Sequence, residues 1–348
     1  MLIHTDYIQP AELTGYARGA LADLQINQFT LSEFLPNVEV DDLDYRFARG
    51  GEGLAEAATF RAFDAESSIA SRPGITRVSG ELPPVSRKIR LGEYDRLRQR
   101  KADKAITDGL YTDTERMVRA VGARMELARG QALVTGKVTI AENGFVADVD
   151  FGRNAGHSNV APSTLWSAVD TSTPITDMLA WQATYVANND GQYPGAIGTT
   201  LKVLNNILRS AEVRTLGATV SGGPSVISRA LLAQILEAYG LPPVVLNDTQ
   251  VKVDGVATRV IPESAFLFLP APMSGETMGG STVLGSTLYG PTAESLEPDY
   301  GIAAGDEPGI TAGVYKTPDP VALWTKAVAT ALPVLANPNL SFHAKVLA

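Results

Sequence analysis

The feature that most constrains this fold is a strand-like excursion over residues 44–90 that has very little apolar surface of its own. Its β-type runs, separated by glycines, small polar residues and a Pro-Pro pair, lie at 45–48, 59–63, 75–78 and 87–91. Arginines alternate with the apolar residues, so each run has at best one narrow apolar face. Two strands without a packed face are only marginally stable in water. We therefore expect the excursion to become ordered against another surface, above all a second copy of this chain.

Charge is unevenly distributed along the sequence. The formal net charge is −9, yet residues 46–104 contain 13 Lys or Arg against 8 Asp or Glu, a local balance of +5 that leaves −14 for the remainder. A basic excursion on an acidic body suits charge-complementary docking between subunits. A nucleic-acid patch is the alternative. We favour docking between subunits, because aromatic residues are sparse in the excursion and an acidic body would repel phosphate.

Arginines of the excursion are the candidate site residues. The planar guanidinium can pair with a carboxylate through two parallel hydrogen bonds, which suits contacts between subunits. The predicted inter-subunit contacts are Arg49, Arg61, Arg72, Arg77, Arg87 and Arg90.

Composition sets broader limits. A chain of 348 residues is long enough for two domains, and 45% hydrophobic with 19% charged residues is typical of globular proteins. The absence of cysteine excludes disulfides, thiolate metal sites and a cysteine nucleophile. The N-terminal residues do not resemble a secretory signal, and no run approaches ~18 uninterrupted apolar residues. We expect a soluble protein of a reducing cytoplasm, without a membrane segment.

Hydrophobic periodicity and turn residues predict a mixed α+β chain. The longest helix should begin at the capping-box pattern Thr112-Asp113-Thr114-Glu115 and end at Gly136. Hairpins are predicted at 137–150 and 251–260, turning at Asn143-Gly144 and Asp254-Gly255. The predicted helices lie at about 10–25, 112–134, 174–188, 198–209 and 224–239. Further strands are predicted at 244–246, 265–269, 313–315, 322–327, 331–335 and 342–346.

Motifs for catalysis or cofactor binding are weak throughout the sequence. Residues 130–137 miss the spacing of a phosphate loop. Asp41-Asp42-Leu43-Asp44 lacks the glycine and later glutamate of a calcium loop and is interpreted as a solvated acidic turn. His157 beside Ser158 does not make a hydrolase triad, and we interpret it as a histidine of a surface loop. The sequence therefore predicts no enzyme, catalytic residue, metal site or cofactor.

Four short motifs, taken in order, carry a resemblance to a known family. The long helix leads into Gly136-Lys137-Val138-Thr139 and Val149-Asp150-Phe151-Gly152-Arg153. Leu165-Trp166-Ser167 precedes the helix at Pro174. The last two motifs are Val283-Leu284-Gly285-Ser286-Thr287 and Pro333-Val334-Leu335-Ala336-Asn337-Pro338. In these motifs and in its order of segments, the sequence resembles the major capsid proteins of tailed bacteriophages, closest to the lambda-like "phage major capsid protein E" family.

The resemblance implies a Hong Kong 97-type phage capsid fold of the α+β class, with an N-terminal arm, an E-loop, a peripheral (P) domain and an axial (A) domain. On that basis the arm would be residues 1–41 and the E-loop, an extended β hairpin, residues 42–91. The P domain would be residues 92–192, with a spine helix at 112–134, completed by C-terminal strands at 302–348. The A domain would be residues 193–301.

The implied function is that of a major capsid protein of a tailed double-stranded DNA phage. It would self-assemble as pentamers and hexamers into an icosahedral head shell, located in the virion and built in the host cytoplasm. Expected partners are its own copies, a separate scaffolding protein, a portal and, as a further candidate, a decoration protein. Packaged DNA would be contacted only non-specifically. The alternatives are an encapsulin-like nanocompartment shell and, more remotely, a soluble enzyme with an unrecognised site.

Overall fold

The structure, a computed structural model, describes residues 2–49, 76–99, 103–142, 144–218, 227–273 and 282–348. These residues form a mixed array of helices and sheets. The helices in this part of the chain are α1 Pro10–Asn27, α2 Glu93–Gln99, α3 Asp103–Thr135, α4 Pro174–Asn188, α5 Leu201–Arg209, α6 Ala211–Gly217 and α7 Arg229–Ala238. The strands are β1 Leu2–Ile3, β2 Asn37–Glu39, β3 Asp44–Arg49, β4 Thr76–Glu81, β5 Pro84–Leu91, β6 Lys137–Glu142, β7 Phe145–Asp150, β8 Ala196–Thr199, β9 Val244–Leu246, β10 Gln250–Val253, β11 Val256–Arg259, β12 Ala265–Leu269, β13 Gly285–Gly290, β14 Thr311–Pro318, β15 Val321–Leu335 and β16 Phe342–Lys345.

A six-stranded sheet organises the body of the molecule. Its order is β1-β14-β15-β13-β2, and β5 also pairs with β15. The long strand β15 pairs with β14 and β5 along its first part and with β13 along its last part. β2 runs parallel to β13, whereas the other pairs are antiparallel. The C-terminal third of the chain therefore supplies the centre of this sheet.

The remaining described strands form a second sheet and three separate two-stranded pairs. The second sheet has the order β16-β12-β8-β9, so that the last strand of the chain pairs with a strand of its middle part. Two of these pairs, β6–β7 and β10–β11, are hairpins, and β3–β4 is a two-stranded sheet whose connection lies outside the described residues. No helix in the described ranges is long and apolar enough to cross a membrane.

Helix α3 packs along one face of the six-stranded sheet and also contacts α1. At 33 residues it is about 50 Å long. Met117, Val121 and Met125, spaced four residues apart, are almost completely buried. Burial of each such side chain stabilises the fold by about 1.5–3 kcal/mol. Gly130 allows the helix to approach Val260 closely, because a Cβ atom there would collide with the Val260 carbonyl oxygen.

The predicted start of the longest helix is wrong. α3 begins nine residues earlier, at Asp103, and Ile106 and Leu110 in the added turns are buried in the core. The Thr114 hydroxyl donates to the Leu110 carbonyl at 2.8 Å instead of capping a helix end. Threonine makes this local bond inside helices as well as at their ends, so the capping-box pattern was ambiguous.

Other boundaries also differ from the prediction. The helix expected at 198–209 is preceded by the buried strand β8, and the Thr200 side chain accepts from the Val203 amide to start α5. The helix expected from residue 224 begins at Arg229 after a Ser228 cap, and Pro224 lies outside the described residues. The two strands expected at 322–327 and 331–335 form the single strand β15. α2 and α6 were not predicted.

Several predicted elements are confirmed. The helix over 174–188 has the predicted bounds. The helix expected at 10–25 is two residues longer and ends at Asn27. The hairpins at 137–150 and 251–260 pair as expected, and Gly144 and Gly255 have the positive φ that such turns need. The run at 59–63 and residue Asn143 lie outside the described residues.

Candidate assembly surfaces

The excursion is rooted in the body by a few apolar contacts. β3 and β4 pair in register from Asp44 opposite Glu81 to Arg49 opposite Thr76. The Tyr45 ring is buried against Gly80, where a Cβ atom would collide with it, and this burial raises the Tyr45 pKa. Leu82 is also buried, and its amide donates to the Leu43 carbonyl at 2.9 Å. We call this base of the excursion, made of β3, β4 and Leu82, the root. It is part of the folded body.

The six predicted arginines lie in different places. Arg49 ends β3, and Arg77 lies in β4 opposite Ala48. Arg61 and Arg72 are outside the described residues. Arg87 and Arg90 lie on β5, which pairs along its whole length with β15. The run at 87–91 is therefore a strand of the central sheet, which differs from the expectation that it belongs to the protruding excursion.

Alternate residues of β5 point to opposite faces of the sheet. Arg87 lies on the side of α3, at the rim of an open groove of about 830 Å³ that also contains Arg124, Leu127 and Lys252. Arg124 is already paired with Glu142 at 3.0 Å. The groove has both apolar and charged walls.

The opposite face carries a layered arrangement of aromatic rings and cations. The Lys88 Nζ atom lies 4.6 Å and the Arg90 Cζ atom 5.9 Å from the centroid of the Trp324 ring. The Tyr315 ring lies parallel to that of Trp324, with centroids 6.3 Å apart. We name Lys88, Arg90, Tyr315 and Trp324 the cationic face. A cation over an indole contributes about 0.5–1 kcal/mol at an exposed site.

A loop at residues 291–310 carries charge of the opposite sign. It contains five acidic residues and no Lys or Arg, and we name it the acidic loop. Its backbone is held by the Arg18 guanidinium, which donates to the carbonyls of Asp306 and Pro308 at 2.7 and 2.9 Å. Glu294 pairs with Lys326 of β15. The carboxylates of Glu297 and Asp299 are exposed on this fixed backbone.

In contrast, the interior of the body contains a buried ion pair. The Arg129 Nη1 atom lies 3.1 Å from the Glu126 Oε2 atom, and both side chains are at most 1% exposed. Arg129 also donates to the Thr287 hydroxyl at 2.8 Å and to the Asn37 side-chain oxygen at 2.5 Å, and Glu126 accepts from the Leu31 amide at 3.0 Å. Burial raises the Glu126 pKa although Arg129 opposes the shift. The pair fastens α3 to the N-terminal segment and to β13.

A second, half-buried cation closes the C-terminal end of α3. Arg153 donates to the Leu133 and Val134 carbonyls at 2.7 and 2.5 Å, and to the Ser158 hydroxyl at 2.9 Å. Carbonyls at a helix C-terminus lack partners and carry partial negative charge, which suits a cation. Burial lowers the Arg153 pKa to about 10. Gly136 has φ of 72°, and a Cβ atom there would lie only 3.0 Å from the Arg153 side chain, which explains why a glycine ends this helix.

His157 is not a surface residue, so that interpretation was wrong. Its side chain is completely buried between Tyr185 and Phe342. The Nδ1 atom lies 2.8 Å from the Asn339 carbonyl oxygen, and Nε2 lies 3.0 Å from the Asn188 amide nitrogen. A neutral ring protonated on Nδ1 satisfies both contacts, and burial lowers the His157 pKa. The polar sequence around His157 concealed the buried position of its ring.

The motif Leu165-Trp166-Ser167 also has a structural explanation. Trp166 is completely buried, and its indole nitrogen donates to an Asp177 carboxylate oxygen at 2.9 Å. Its backbone amide donates to the Val346 carbonyl at 2.9 Å. The motif ties α4 to the C-terminal residues.

Over the described ranges, no group of three or more His, Cys, Asp or Glu side chains could hold a metal ion.

Sequence reasoning missed two residues of the cationic face. Lys88 and Trp324 were not singled out, since they lie more than 230 positions apart and only the β5–β15 pairing brings them together. The alternation in Arg87-Lys88-Ile89-Arg90 was the available signal, because it predicts two faces for the strand.

A comparison with models of known protein families identifies one family. The family model for phage major capsid protein E matches residues 27–346. A comparison of the sequence with curated proteins finds no match.

Solved structures with the same fold include two with a high share of both chains covered. A protein assigned as the capsid protein of a prophage of E. coli CFT073 has a TM-score of 0.62 and 13% identity, covering 98% of this chain and 99% of that one. A phage-related protein from Bordetella bronchiseptica RB50 has a TM-score of 0.61 and 11% identity, covering 98% of each chain. The capsid of Myoviridae phage XM1 has a TM-score of 0.50 and 10% identity, covering 92% of this chain and 91% of that one. The architecture is therefore the Hong Kong 97-type phage capsid fold.

Proposed function

This chain belongs to the phage major capsid protein E family, and we propose that its copies join through the excursion and the root of the excursion as pentamers and hexamers of an icosahedral head shell. As a major capsid protein of a tailed phage, it is a structural component of the virion. The observation that carries the proposal is the set of cations on β5, the sheet strand that follows the root, where Arg87, Lys88 and Arg90 lie exposed and without an ion-pair partner in the described part of the chain.

Charge complementarity supports contact between copies. The basic segment at 46–104 and the acidic remainder belong to the same chain, so every copy offers both signs. Single exposed ion pairs contribute only about 0–1 kcal/mol each. Repetition over many identical contacts would give the shell its stability. The arginines proposed to lie against a neighbour remain Arg49, Arg61, Arg72, Arg77, Arg87 and Arg90.

The finer organisation follows from the family as proposals. The arm, E-loop, P domain and A domain would have the boundaries given above, with the spine helix extended to the bounds of α3. Assembly would take place in the host cytoplasm with a separate scaffolding protein and a portal, and a decoration protein is a further candidate partner. DNA would touch the acidic interior only non-specifically. The chain would act without catalysis, and the family match favours the head shell over an encapsulin-like compartment.

Deletion of the excursion tests the proposal. A variant in which residues 50–75 are replaced by Asn-Gly retains β3 and β4 and joins them by a two-residue turn. We expect a folded protein, with the circular dichroism of the full chain, that fails to form closed shells in negative-stain microscopy. The full-length chain, purified in parallel, should form particles. Normal shells from the deletion variant, with wild-type resistance to heat and salt, would disprove the role assigned to the excursion.

A further inference from the structure

The face of the central sheet opposite α3 carries two cations, Lys88 and Arg90, that have no anionic partner among the described residues. We propose that the cationic face receives the acidic loop of a second copy of this chain. The inference rests on the proposed shell function, because it names one contact through which neighbouring copies would join.

The cationic face is built to accept an anion. Lys88 and Arg90 are two positions apart on one strand, so their backbones are about 7 Å apart and their side chains share a face. Both are exposed, and neither forms an ion pair with any described residue. Trp324 holds both cations next to each other despite their mutual repulsion. A carboxylate beside them would relieve that repulsion and accept charge-assisted hydrogen bonds.

The acidic loop has matching charge and a fixed backbone. Its exposed carboxylates, at Glu297, Asp299 and Asp306, form no ion pair with any described residue. Because Arg18 already holds the loop, docking would order few additional residues and so would cost little entropy. The contact of Glu294 with Lys326 shows the same pairing of loop carboxylate and sheet cation inside one chain. Lys326 lies directly across the strand pair from Lys88.

A second copy is favoured over a nucleic acid. Single-stranded nucleic acids gain affinity by stacking bases on exposed aromatic rings. Here the Trp324 ring is parallel to that of Tyr315 and lies under Lys88 and Arg90, so its exposed part does not offer a free face on which a base could stack. The two surfaces differ from each other, so they would join copies head to tail. Contacts of that kind generate closed rings when the rotation between copies closes and open filaments when it does not, and a capsid requires the first case.

Charge reversal tests the contact. The face variant carries Lys88→Glu and Arg90→Glu, and the loop variant carries Glu297→Lys, Asp299→Lys and Asp306→Lys. We expect each variant to raise the protein concentration needed for assembly by about tenfold or more, and we expect the two sets combined in one chain to restore assembly. Glu237→Lys, at an exposed position on α7, is the matched control and should assemble as the wild type does. Face and loop variants that assemble like the control would overturn the inference.

Tryptophan fluorescence gives an independent measurement. Of the three tryptophans, Trp166 and Trp181 are buried, whereas Trp324 is partly exposed. Acrylamide quenching of unassembled protein should therefore report mainly Trp324. We expect this quenching to fall about twofold in wild-type shells, because the neighbour's loop would cover the ring. The change should be absent in Trp324→Phe.

Each remaining outcome has a distinct meaning. Wild-type shells with unchanged Trp324 quenching would overturn the inference and leave the shell function intact. A wild-type chain that forms no particles would contradict the proposed function itself. Binding of DNA that is lost only in the face variant would assign the cationic face to nucleic acid and overturn the inference.

Discussion

The charged side chains of α3 that form the interior ion pair are buried, whereas the cations of β5 are exposed and have no ion-pair partner among the described residues. Arg129 and Glu126 are almost fully buried, and their polar atoms are engaged by Asn37, Thr287 and the Leu31 amide. Lys88 and Arg90 extend from the sheet with an aromatic ring as their closest described partner. Charges in the first region hold one chain together, whereas those in the second are available to other molecules.

This difference has an energetic basis. A buried charge costs several kcal/mol to desolvate, so it must be paired and hydrogen-bonded within the fold. An exposed charge is solvated and can remain unpaired at almost no cost. Substitutions in the first region should therefore change the stability of the subunit, and substitutions in the second should change assembly with little effect on the subunit.

The largest expected effect on stability is that of Arg129→Met. Removal of the guanidinium leaves the Glu126 carboxyl buried without its cation, and it also removes the bonds to Asn37 and Thr287. We expect a loss of about 3–5 kcal/mol in the free energy of unfolding, measured by urea denaturation of unassembled protein. Arg124→Met is the matched control on the same helix. Its pair with Glu142 is partly exposed, so we expect a loss of about 0–1 kcal/mol. Equal losses in the two variants would show that burial of the ion pair does not determine its effect on stability.

A somewhat smaller effect should appear on acidification. Burial lowers the His343 pKa to about 4, and Arg153 nearby contributes to this shift. The unfolded chain therefore takes up a proton at higher pH than the folded chain, and stability should fall as the pH decreases from about 6.5 towards 4. The shift corresponds to about 3 kcal/mol over that interval.

The matched variant isolates this contribution. His343→Gln cannot take up the proton, so its unfolding free energy should depend less steeply on pH between about 6.5 and 4 than that of the wild type. Glu126 acts in the opposite direction, because its raised pKa favours the folded state at low pH. The difference between the two proteins, measured by urea denaturation at several pH values, removes that contribution. Parallel pH profiles would show that His343 is not the group responsible.

Local sequence patterns gave much of the secondary structure. The hairpin at 137–150 and the helix over 174–188 follow from turn residues and apolar periodicity, and both are confirmed. The start of α3 could not be located, because the threonine hydroxyls at 112 and 114 bond equally well to carbonyls inside a helix. Local patterns do not reveal which of two bonding arrangements the tertiary structure selects.

Long-range pairing was the part that local reasoning could not supply. Arg87 and Arg90 were identified from composition, yet the assignment of their strand to the central sheet depends on β15, more than 230 residues away. The burial of His157 similarly depends on Asn339 and Phe342 near the end of the chain. A side chain within a polar stretch can be buried when a distant segment covers it, and a single sequence does not record which segment does so.

The smallest expected effect on stability lies at the rim of the groove beside α3. Arg87 is exposed and forms no ion pair with the described residues, so Arg87→Gln removes a charge that the subunit does not use. We expect the free energy of unfolding to change by no more than about 0.5 kcal/mol.

If Arg87 contacts a neighbouring copy, the same substitution should slow shell formation, which light scattering measures. The defect should shrink at high salt because screening weakens the wild-type contact. Lys202→Gln on α5, which removes a cation from an exposed ion pair with Glu263, controls for net charge. An equal effect of both variants on assembly would show that Arg87 acts only through net charge, and a large loss of stability in Arg87→Gln would place it with the buried charges of the interior.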